Sequence, residues 1–349
     1  MAKTQLVETS EKTHVVFLAR RYAPHLGGVE KHLEGLVQTL IKRGWNITII
    51  TEQHDISLSL HDITDHVEIL RIPRGGGSEK KEIWSWIRAH SALFMQADIV
   101  HAHDVFWWLV PVLHVIPKRK RFITFHGYED ERGPNFKTTL VRQIWDGLAH
   151  KNLCVGGWIR KWYGTPADAI TYGAASAKPR PLPAEHSMVF VGRLADDTHI
   201  ADYISLCSRA EGMLTLDIYG DGPLREKIEH LVLNYPMVKY LGTTKHPEAA
   251  LAKYRFVCAS QYMTMLQAMQ IGRLVLSLHN TELKKDYLED FPAFEQTVHA
   301  TTPEKLLTQL ELVIAEPERE REMITRAQDW ALEQTWEKLA DTYEDLWQS

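Results

Sequence analysis

The chain has 349 residues, of which 44% are hydrophobic and 24% charged, and its formal net charge is −5. This length fits two domains of ordinary globular composition, and the small negative charge argues against a general nucleic-acid-binding protein. The three cysteines, Cys154, Cys207 and Cys258, are widely spaced and include no C-x-x-C pair. They indicate neither a disulfide framework nor a zinc site, and they fit a cytoplasmic protein.

The first residues, 1–13, are polar and lack the apolar core of a signal peptide, so we expect a disordered lead-in. The first strand follows at Val15–Leu18, and a Gly27-Gly28 pair then opens a helix predicted over Glu30–Arg43. Such a glycine pair lets the backbone approach a ligand closely, and a helix N-terminus favours negative charge. The pattern therefore indicates a phosphate-binding βαβ unit, although a tight turn of any α/β fold is the alternative.

The first half of the chain alternates between apolar strands and amphipathic helices. This alternation is typical of a parallel sheet covered on both faces. We predict strands at 47–51, 67–72, 98–103, 121–125 and 151–155, and helices at 79–96, 106–116, 138–149 and 158–163.

A proline-rich segment, 174–187, separates this half from a second series of strands and helices. Prolines continue neither a helix nor a central strand, so the segment is the predicted linker. Two doubly wound halves would form a cleft between the carboxyl ends of their sheets. We predict domains at 14–173 and 188–327, a final helix at 328–349, and second-half strands at 188–191, 214–219, 238–241, 256–259 and 274–277.

Seven short segments, in order along both halves, are similar to signatures of glycosyltransferase family 4, whose members are retaining enzymes with the GT-B fold. The resemblance implies two Rossmann-like domains facing a central cleft, with a C-terminal helix that crosses back to the N-terminal domain. It also implies a nucleotide-sugar donor on the C-terminal domain, a glycan or lipid acceptor on the N-terminal domain, and no metal or other cofactor. The segments are Pro24–His32, Leu40–Ile47, Asp98–His103, Thr124–Gly127, Val191–Leu194, Ile218–Leu224 and Leu266–Gly272.

The leaving diphosphate of such a donor needs stabilisation as its charge grows. Arg193 follows a strand and could contact phosphate through two N–H groups, unless it forms an ordinary surface salt bridge. The backbone N–H groups of the glycine pair would approach the phosphates from across the cleft. The predicted donor-binding residues are Gly27, Gly28, Arg193, Gly220, Thr264 and Gln267.

His126 is the predicted catalytic residue together with Arg193, because it follows a strand end, where catalytic groups lie in open α/β sheets. By resemblance it would hydrogen-bond the donor near the reacting carbon; a structural histidine is the alternative. Tyr128, Glu129 and His103 are predicted acceptor contacts, with a solvated loop as the other interpretation for Glu129. A metal held by the nearby histidines is not expected.

The chain departs from the family pattern at the donor site. Gln267 stands where relatives have a glutamate, a second glutamate has no counterpart, and Thr198 and His199 lie near the place of a usual lysine. Glutamine can hydrogen-bond ribose hydroxyls but lacks the charge that strengthens such bonds. Three functions therefore stay open: a hexosyltransferase-type enzyme, a non-catalytic binding protein derived from one, and a sugar-nucleotide epimerase.

Contact with a membrane surface is a further possibility. No segment reaches the roughly 18 apolar residues that span a bilayer. The stretch 105–116 contains Trp107 and Trp108, and aromatic residues beside basic ones fit a patch at the inner face of an anionic membrane. A buried helix with cations at its C-terminus is the alternative. The basic residues are Lys118, Arg119, Lys120 and Arg121.

Overall fold

The structure is a computed structural model of the chain. It describes residues 13–25, 27–75, 79–128 and 132–349. All but the last residue of the predicted lead-in therefore lie outside the described residues, as does Glu129. Two β-sheets with helices between their strands make up the described chain, which confirms the predicted α/β class.

The chain divides into two compact units. The first contains the chain up to His126 together with Arg142–Leu153 and Tyr343–Ser349. The second contains Gly127–Val141 and Cys154–Thr342. The limits predicted for the domains, at residues 173 and 188, stay predictions.

The first sheet has its most buried strand in the middle. Its strands are β1 (His14–Ala19), β2 (Asn46–Glu52), β3 (His61–Thr64), β4 (Val67–Ile72), β5 (Ile99–His103), β6 (Arg121–Phe125), β7 (Lys151–Val155) and β8 (Ala169–Thr171). They are ordered β3-β4-β2-β1-β5-β6-β7-β8. β1 pairs in parallel with β2 and β5, and its last five residues are fully buried, as expected for a strand covered on both faces. β3 is an antiparallel edge strand that its exposed, polar sequence did not reveal.

The helices that follow these strands are α1 (Gly28–Lys42), α2 (Glu79–Ala89), α3 (Ser91–Gln96), α4 (Phe136–Leu148) and α5 (Trp158–Tyr163). The predicted helix over 79–96 is in fact two helices, with a break at His90. The predicted helix at 106–116 is wrong, because Phe106–Val112 forms a 3₁₀ helix. Pro111 lies inside this segment and lacks the N–H that an α-helical hydrogen bond requires.

The second sheet is parallel throughout. Its strands are β9 (Ser187–Val191), β10 (Thr215–Tyr219), β11 (Val238–Tyr240), β12 (Phe256–Cys258), β13 (Leu274–Leu278) and β14 (Val298–Ala300). They are ordered β11-β10-β9-β12-β13-β14, and every neighbouring pair is parallel. The five predicted strands are confirmed, whereas the short edge strand β14 was not predicted.

The helices of this half are α6 (Ile200–Arg209), α7 (Arg225–Val232), α8 (Pro247–Leu251), α9 (Tyr262–Ile271), α10 (Glu282–Glu289), α11 (Pro303–Ala315), α12 (Pro317–Leu332) and α13 (Trp336–Gln348). The end of α13 belongs to the first unit, as predicted for the last helix. The predicted start of that helix at residue 328 is wrong, because residues 328–332 end α12 and α13 begins at Trp336. Its Glu344 carboxylate accepts from the guanidinium of Arg43 at 2.5 Å and from the indole of Trp45 at 2.6 Å.

The proline-rich segment between β8 and β9 contains neither helix nor strand. The guanidinium of Arg273, which is almost completely buried, donates to the carbonyls of Arg180, Pro181 and Ala252 at 3.1, 2.9 and 2.7 Å. A buried cation thus holds part of the segment against the end of α8, within the second unit, through backbone oxygens.

Candidate active-site residues

Two histidines lie at the carboxyl ends of neighbouring strands in the first sheet. β5 ends at His103, which pairs with Ala19 of β1 and Thr124 of β6, and His126 follows β6 directly. Nδ1 of His103 lies 2.8 Å from Nε2 of His126, and the two rings stack with centroids 5.1 Å apart. This edge is where open α/β sheets bind ligands.

His126 is held from three directions. Its backbone N–H donates to Oδ1 of Asp104 at 3.0 Å, its ring meets His103, and the ring of His32 packs edge-on with centroids 4.9 Å apart. Burial lowers the pKa of His126 to about 3. The imidazole is therefore neutral at physiological pH, with one N–H donor and one bare nitrogen, which suits hydrogen bonding rather than charge neutralisation.

A chain of hydrogen bonds behind these histidines joins the sheet to α13. Nε1 of Trp347 donates to Nδ1 of His101 at 3.0 Å, and Nε2 of His101 lies 2.8 Å from Oγ1 of Thr124. The Thr124 hydroxyl lies 3.0 Å from the hydroxyl of Tyr343, which in turn lies 2.9 Å from Nε2 of His32. All five side chains are buried, and burial lowers the pKa of both histidines well below the usual value.

The predicted glycine pair lies at the start of α1. Gly27 caps the helix, and Gly28 is its first residue. A Cβ at Gly27 would lie 2.2 Å from Oε2 of Glu30, whereas a Cβ at Gly28 would meet nothing within 4 Å. The Glu30 carboxylate folds back over the first turn, and its Oε1 lies 3.0 Å from Nδ1 of His25. An anion is favoured at this helix end, so a bound phosphate would compete with Glu30 there.

Arg193 follows β9 in the second unit, in the loop where it was predicted. Its side chain is 58% exposed and donates to Oδ2 of Asp197 at 2.5 Å. The hydroxyl of Thr198 donates to the Arg193 carbonyl at 3.0 Å and so braces the loop. An exposed ion pair contributes about 0.2–1 kcal/mol, so the guanidinium can leave Asp197 for a phosphate at low cost.

The glycines after β10 have a structural explanation. A Cβ at Gly220 would lie 1.9 Å from the carbonyl oxygen of Gly192, the residue before Arg193. Gly222 has a φ of +154°, and a Cβ there would lie 2.5 Å from the carbonyl oxygen of Leu194. These close approaches bring the end of β10 against the Arg193 loop. Gly220 therefore shapes that loop, whether or not it also contacts a ligand.

Thr264 and Gln267 lie on the first two turns of α9, directly after β12. The N–H of Tyr262 donates to the hydroxyl of Tyr287 at 3.0 Å, but no described residue accepts from the N–H of Met263 or Thr264. Gln267 is 6% exposed, and its amide makes no hydrogen bond to a described residue. Unpaired N–H donors at a helix N-terminus suit a phosphate.

The predicted acceptor contacts differ in their surroundings and in how far they are buried. The Tyr128 hydroxyl lies 3.4 Å from Nζ of Lys284, and its ring packs edge-on against Trp158 with centroids 5.7 Å apart. His103 is only 1% exposed, so in this structure its ring offers almost no surface to an acceptor. Glu129 lies outside the described residues.

The aromatic and basic residues predicted to contact a membrane are only partly on the surface. The side chain of Trp108 is fully buried, whereas Trp107 is half-buried. Lys118 and Arg119 are exposed in a 3₁₀ turn, whereas Lys120 is half-buried and its Nζ donates to the carbonyl of Ala97 at 2.7 Å. Arg121 begins β6 and is also half-buried. Membrane contact stays a prediction, and Trp108 is removed from the predicted contact residues because its side chain is buried. Among the described helices, none has the length and apolar character needed to cross a bilayer.

The sequence analysis did not predict that His32 packs against His126 or that the Tyr343 hydroxyl contacts His32 behind it. The available signal was the alternation along β5, which puts His101 and His103 on one face of the sheet. No sequence pattern connects that face to Tyr343, more than 200 residues away. In the part of the chain that the structure describes, no group of three or more His, Cys, Asp or Glu residues could hold a metal ion.

The chain is similar to a known protein family and to several solved structures. The model of Glycosyltransferase Family 4 matches residues 26–172. Sucrose-phosphate synthase from Thermosynechococcus elongatus is 14% identical with a TM-score of 0.79, covering 97% of this chain and 98% of that one. Anabaena HepE in complex with UDP and glucose is 14% identical, with a TM-score of 0.69 and coverages of 96% and 99%.

The catalytic domain of starch synthase IV from Arabidopsis thaliana, bound to ADP and acarbose, gives 14% identity and a TM-score of 0.68 over 97% of this chain and 99% of that one. At these identities the similarity shows a shared fold over nearly the whole chain. No curated protein sequence matches at a significant level.

Proposed function

We propose that the chain, which matches the model of Glycosyltransferase Family 4 over residues 26–172 and shares the GT-B fold of its structural neighbours, is a glycosyltransferase of this family. It would transfer a sugar, with retention of configuration, from a nucleotide-sugar donor to a hydroxyl group of a glycan or lipid acceptor. The second unit would bind the donor and the first unit the acceptor. The single observation that carries the proposal is the position of His126, whose ring lies 2.8 Å from His103 at the carboxyl edge of the first sheet, within the residues that match the family model.

The donor side is supported by two features of the second unit. The open N–H groups of Met263 and Thr264 at the start of α9 suit a phosphate, and Arg193 has a guanidinium that can leave an exposed ion pair. HepE, a structural neighbour, was solved with UDP-glucose and with UDP, and starch synthase IV with ADP. We therefore propose a nucleoside diphosphate sugar, with the diphosphate between these groups and the ribose near Gln267.

The chemistry would run through the leaving phosphate rather than a protein nucleophile. Retaining glycosidases use a carboxylate that attacks the sugar carbon. Beside His126 the carboxylate of Asp104 instead holds the backbone N–H of His126. We propose that the bond from the sugar carbon to the diphosphate breaks and that the acceptor hydroxyl attacks the same face. Its proton passes to the departing phosphate, while neutral His126 hydrogen-bonds a donor oxygen and Arg193 stabilises the growing charge. No metal or other cofactor takes part.

The test is release of nucleoside diphosphate from UDP-, GDP-, ADP- and dTDP-sugars, with and without glycan and lipid acceptors, in buffer containing EDTA. We expect one nucleotide class to be turned over, with retained configuration in the product. His126→Ala should lower turnover by about 100-fold or more, as expected for the loss of a hydrogen-bond donor that acts on the reacting group. His61→Ala, on the exposed strand β3, should not change it. Turnover that survives His126→Ala would contradict the catalytic assignment.

A binding protein without turnover is the second candidate. Gln267 favours it, because it is buried, uncharged and unpaired among the described residues, in place of a carboxylate. That protein would show thermal stabilisation by one sugar nucleotide and no release of nucleoside diphosphate with any acceptor in the panel. Release above the rate of an Arg193→Ala, His126→Ala double variant would exclude it.

A further inference from the structure

His103 lies beneath His126 and is not itself open to a substrate. Its side chain is 1% exposed, and its Nδ1 lies 2.8 Å from Nε2 of His126. Its other ring nitrogen, Nε2, is fully buried and makes no hydrogen bond to a described residue. The ring is enclosed by the side chains of Phe17, at 5.5 Å between centroids, and Tyr343, which stacks on it at 6.1 Å with an interplanar angle of 9°.

The contact between the two imidazoles allows two arrangements of protons. Burial lowers the pKa of both rings, so each is neutral and carries one N–H. In the first arrangement Nδ1–H of His103 donates to Nε2 of His126, and the buried Nε2 of His103 is bare. In the second, Nε2–H of His126 is the donor, and the single N–H of His103 points from Nε2 into the enclosure of rings. The second leaves a buried N–H without an acceptor, the less tolerated of the two outcomes in folded proteins.

We propose that His103 is a positioning residue that fixes the tautomer of His126. It donates Nδ1–H to Nε2 of His126, so that the single ring N–H of His126 is on Nδ1. That nitrogen makes no hydrogen bond to a described residue and is not among the fully buried ring atoms. His126 therefore presents a donor, and the partner it fits is an oxygen with a free lone pair on the substrate, not a hydroxyl that must lose its proton to the ring.

His101, two residues earlier on the same face of β5, provides an internal reference. Indole N–H is a donor only, so Nδ1 of His101 must accept from Trp347 and its proton must be on Nε2, facing Thr124. His101 and His103 thus hold opposite tautomers, because each is set by the hydrogen bond that its other nitrogen makes. Neither assignment depends on a bound ligand.

The tautomers can be measured directly on the full chain with ¹⁵N-labelled histidine, from long-range ¹H–¹⁵N spectra at pH 7.5 without ligand. Signals are assigned by their loss in His101→Gln, His103→Asn and His126→Gln variants. We expect a protonated Nδ1 and bare Nε2 in His103 and His126, and the reverse in His101. A protonated Nε2 in either His103 or His126 would overturn the proposal, whether or not the chain proves to be a transferase.

Two substitutions test the positioning role. An asparagine amide can donate from near the place of Nδ1, whereas leucine has similar bulk and no donor. With His103→Leu we expect the His126 spectrum to show mixed tautomers and turnover of the donor found in the panel to fall at least about tenfold, mainly in kcat. His103→Asn should keep the Nδ1–H form of His126 and restore most of the turnover.

Thermal midpoints of both variants control for folding. If His103→Leu folds like His103→Asn and its His126 tautomer is the same as in the parent chain, then His103 does not position His126. The resting tautomer and its dependence on residue 103 decide the inference even when no sugar nucleotide is turned over. The turnover measurement rests on the proposed function, so its failure would count against that function and not against the tautomer assignment.

Discussion

The guanidinium of Arg193 donates to the carboxylate of Asp197, one helical turn further along the chain, at 2.5 Å. The arginine side chain is 58% exposed and the aspartate 19%. In the absence of a ligand, the predicted phosphate-binding cation is thus already paired. A diphosphate would have to displace Asp197 or share the guanidinium with it.

We therefore expect Asp197→Asn to bind the donor nucleotide more tightly than the parent chain. The substitution removes one negative charge beside the diphosphate and frees Arg193, a gain of about 0.2–1 kcal/mol for an exposed pair. Arg193→Ala should weaken binding, and Arg193→Lys should recover only part of the loss, since lysine lacks the two-pronged contact. Calorimetric titration with UDP, GDP and ADP measures these affinities; weaker binding by Asp197→Asn would show that the aspartate orients the arginine instead.

Gly220 allows a separation of structural and ligand-binding roles. An alanine Cβ would lie 1.9 Å from a backbone oxygen, so Gly220→Ala should destabilise the second unit by about 1–3 kcal/mol. Its control is Gly147→Ala in α4, where a Cβ meets nothing within 4 Å and alanine should stabilise the helix by about 0.5–1 kcal/mol. Thermal unfolding without ligand distinguishes them, and equal midpoints would contradict the close approach of β10 to the Arg193 loop.

Stability should decline as the medium becomes acidic, because several histidines are buried in the neutral form. Burial lowers the pKa of His32, His101 and His103 well below 6.5, and that of His126 to about 3. The unfolded chain binds protons near pH 6.5, so between about pH 6.5 and 3 it holds more protons than the folded chain. The free energy of unfolding falls through this window by up to about 1.4 kcal/mol per pH unit for each such histidine.

Thermal midpoints measured from pH 7.5 to 5 check this dependence. His101→Gln should flatten the slope, even if its midpoint is lower at every pH. A midpoint that is constant over this range would show that these imidazoles are not buried in the neutral form.

Gln267→Glu places a carboxylate at a site that is 6% exposed and offers no described hydrogen-bond partner. An unpaired buried charge is unfavourable, so we expect a lower thermal midpoint without ligand. Ribose hydroxyls would supply the missing partners, so the stabilisation by a sugar nucleotide should be larger than in the parent chain. Gln267→Met, of similar volume, should keep the midpoint and lose stabilisation by the ligand. Equal ligand shifts in all three proteins would remove Gln267 from the donor site.

The fold was predictable where patterns are local. Apolar runs such as Val15–Leu18 and the glycine at position 44, which has a φ of +93°, mark a strand and a helix end within a few residues. The prediction failed at 106–116, where apolar residues favoured a helix and Pro111 prevents one. Edge strand β3 carries polar residues on both faces, so no periodicity identified it.

Much less of the candidate site could be read from the sequence. The predicted strand ends put His126 after β6 and Arg193 after β9, where the structure has them, and their functional roles stay predictions. The partners that control them were invisible, because they depend on side-chain geometry or on residues far away in the chain. Glu30 folding over Gly27, Asp197 pairing with Arg193 and Tyr343 packing behind the histidines are all of this kind.

The return of α13 has a consequence for how the protein is made. Tyr343 and Trp347 fill space among the histidines of β5 and α1, yet they are synthesised after every residue of the second unit. Synthesis proceeds at about 5–20 residues per second, so the amino-terminal sheet waits on the order of ten seconds after β7 for its last aromatic residues. During that interval its histidine face is incomplete and accessible to chaperones, and a fragment ending near residue 173 would keep it so permanently.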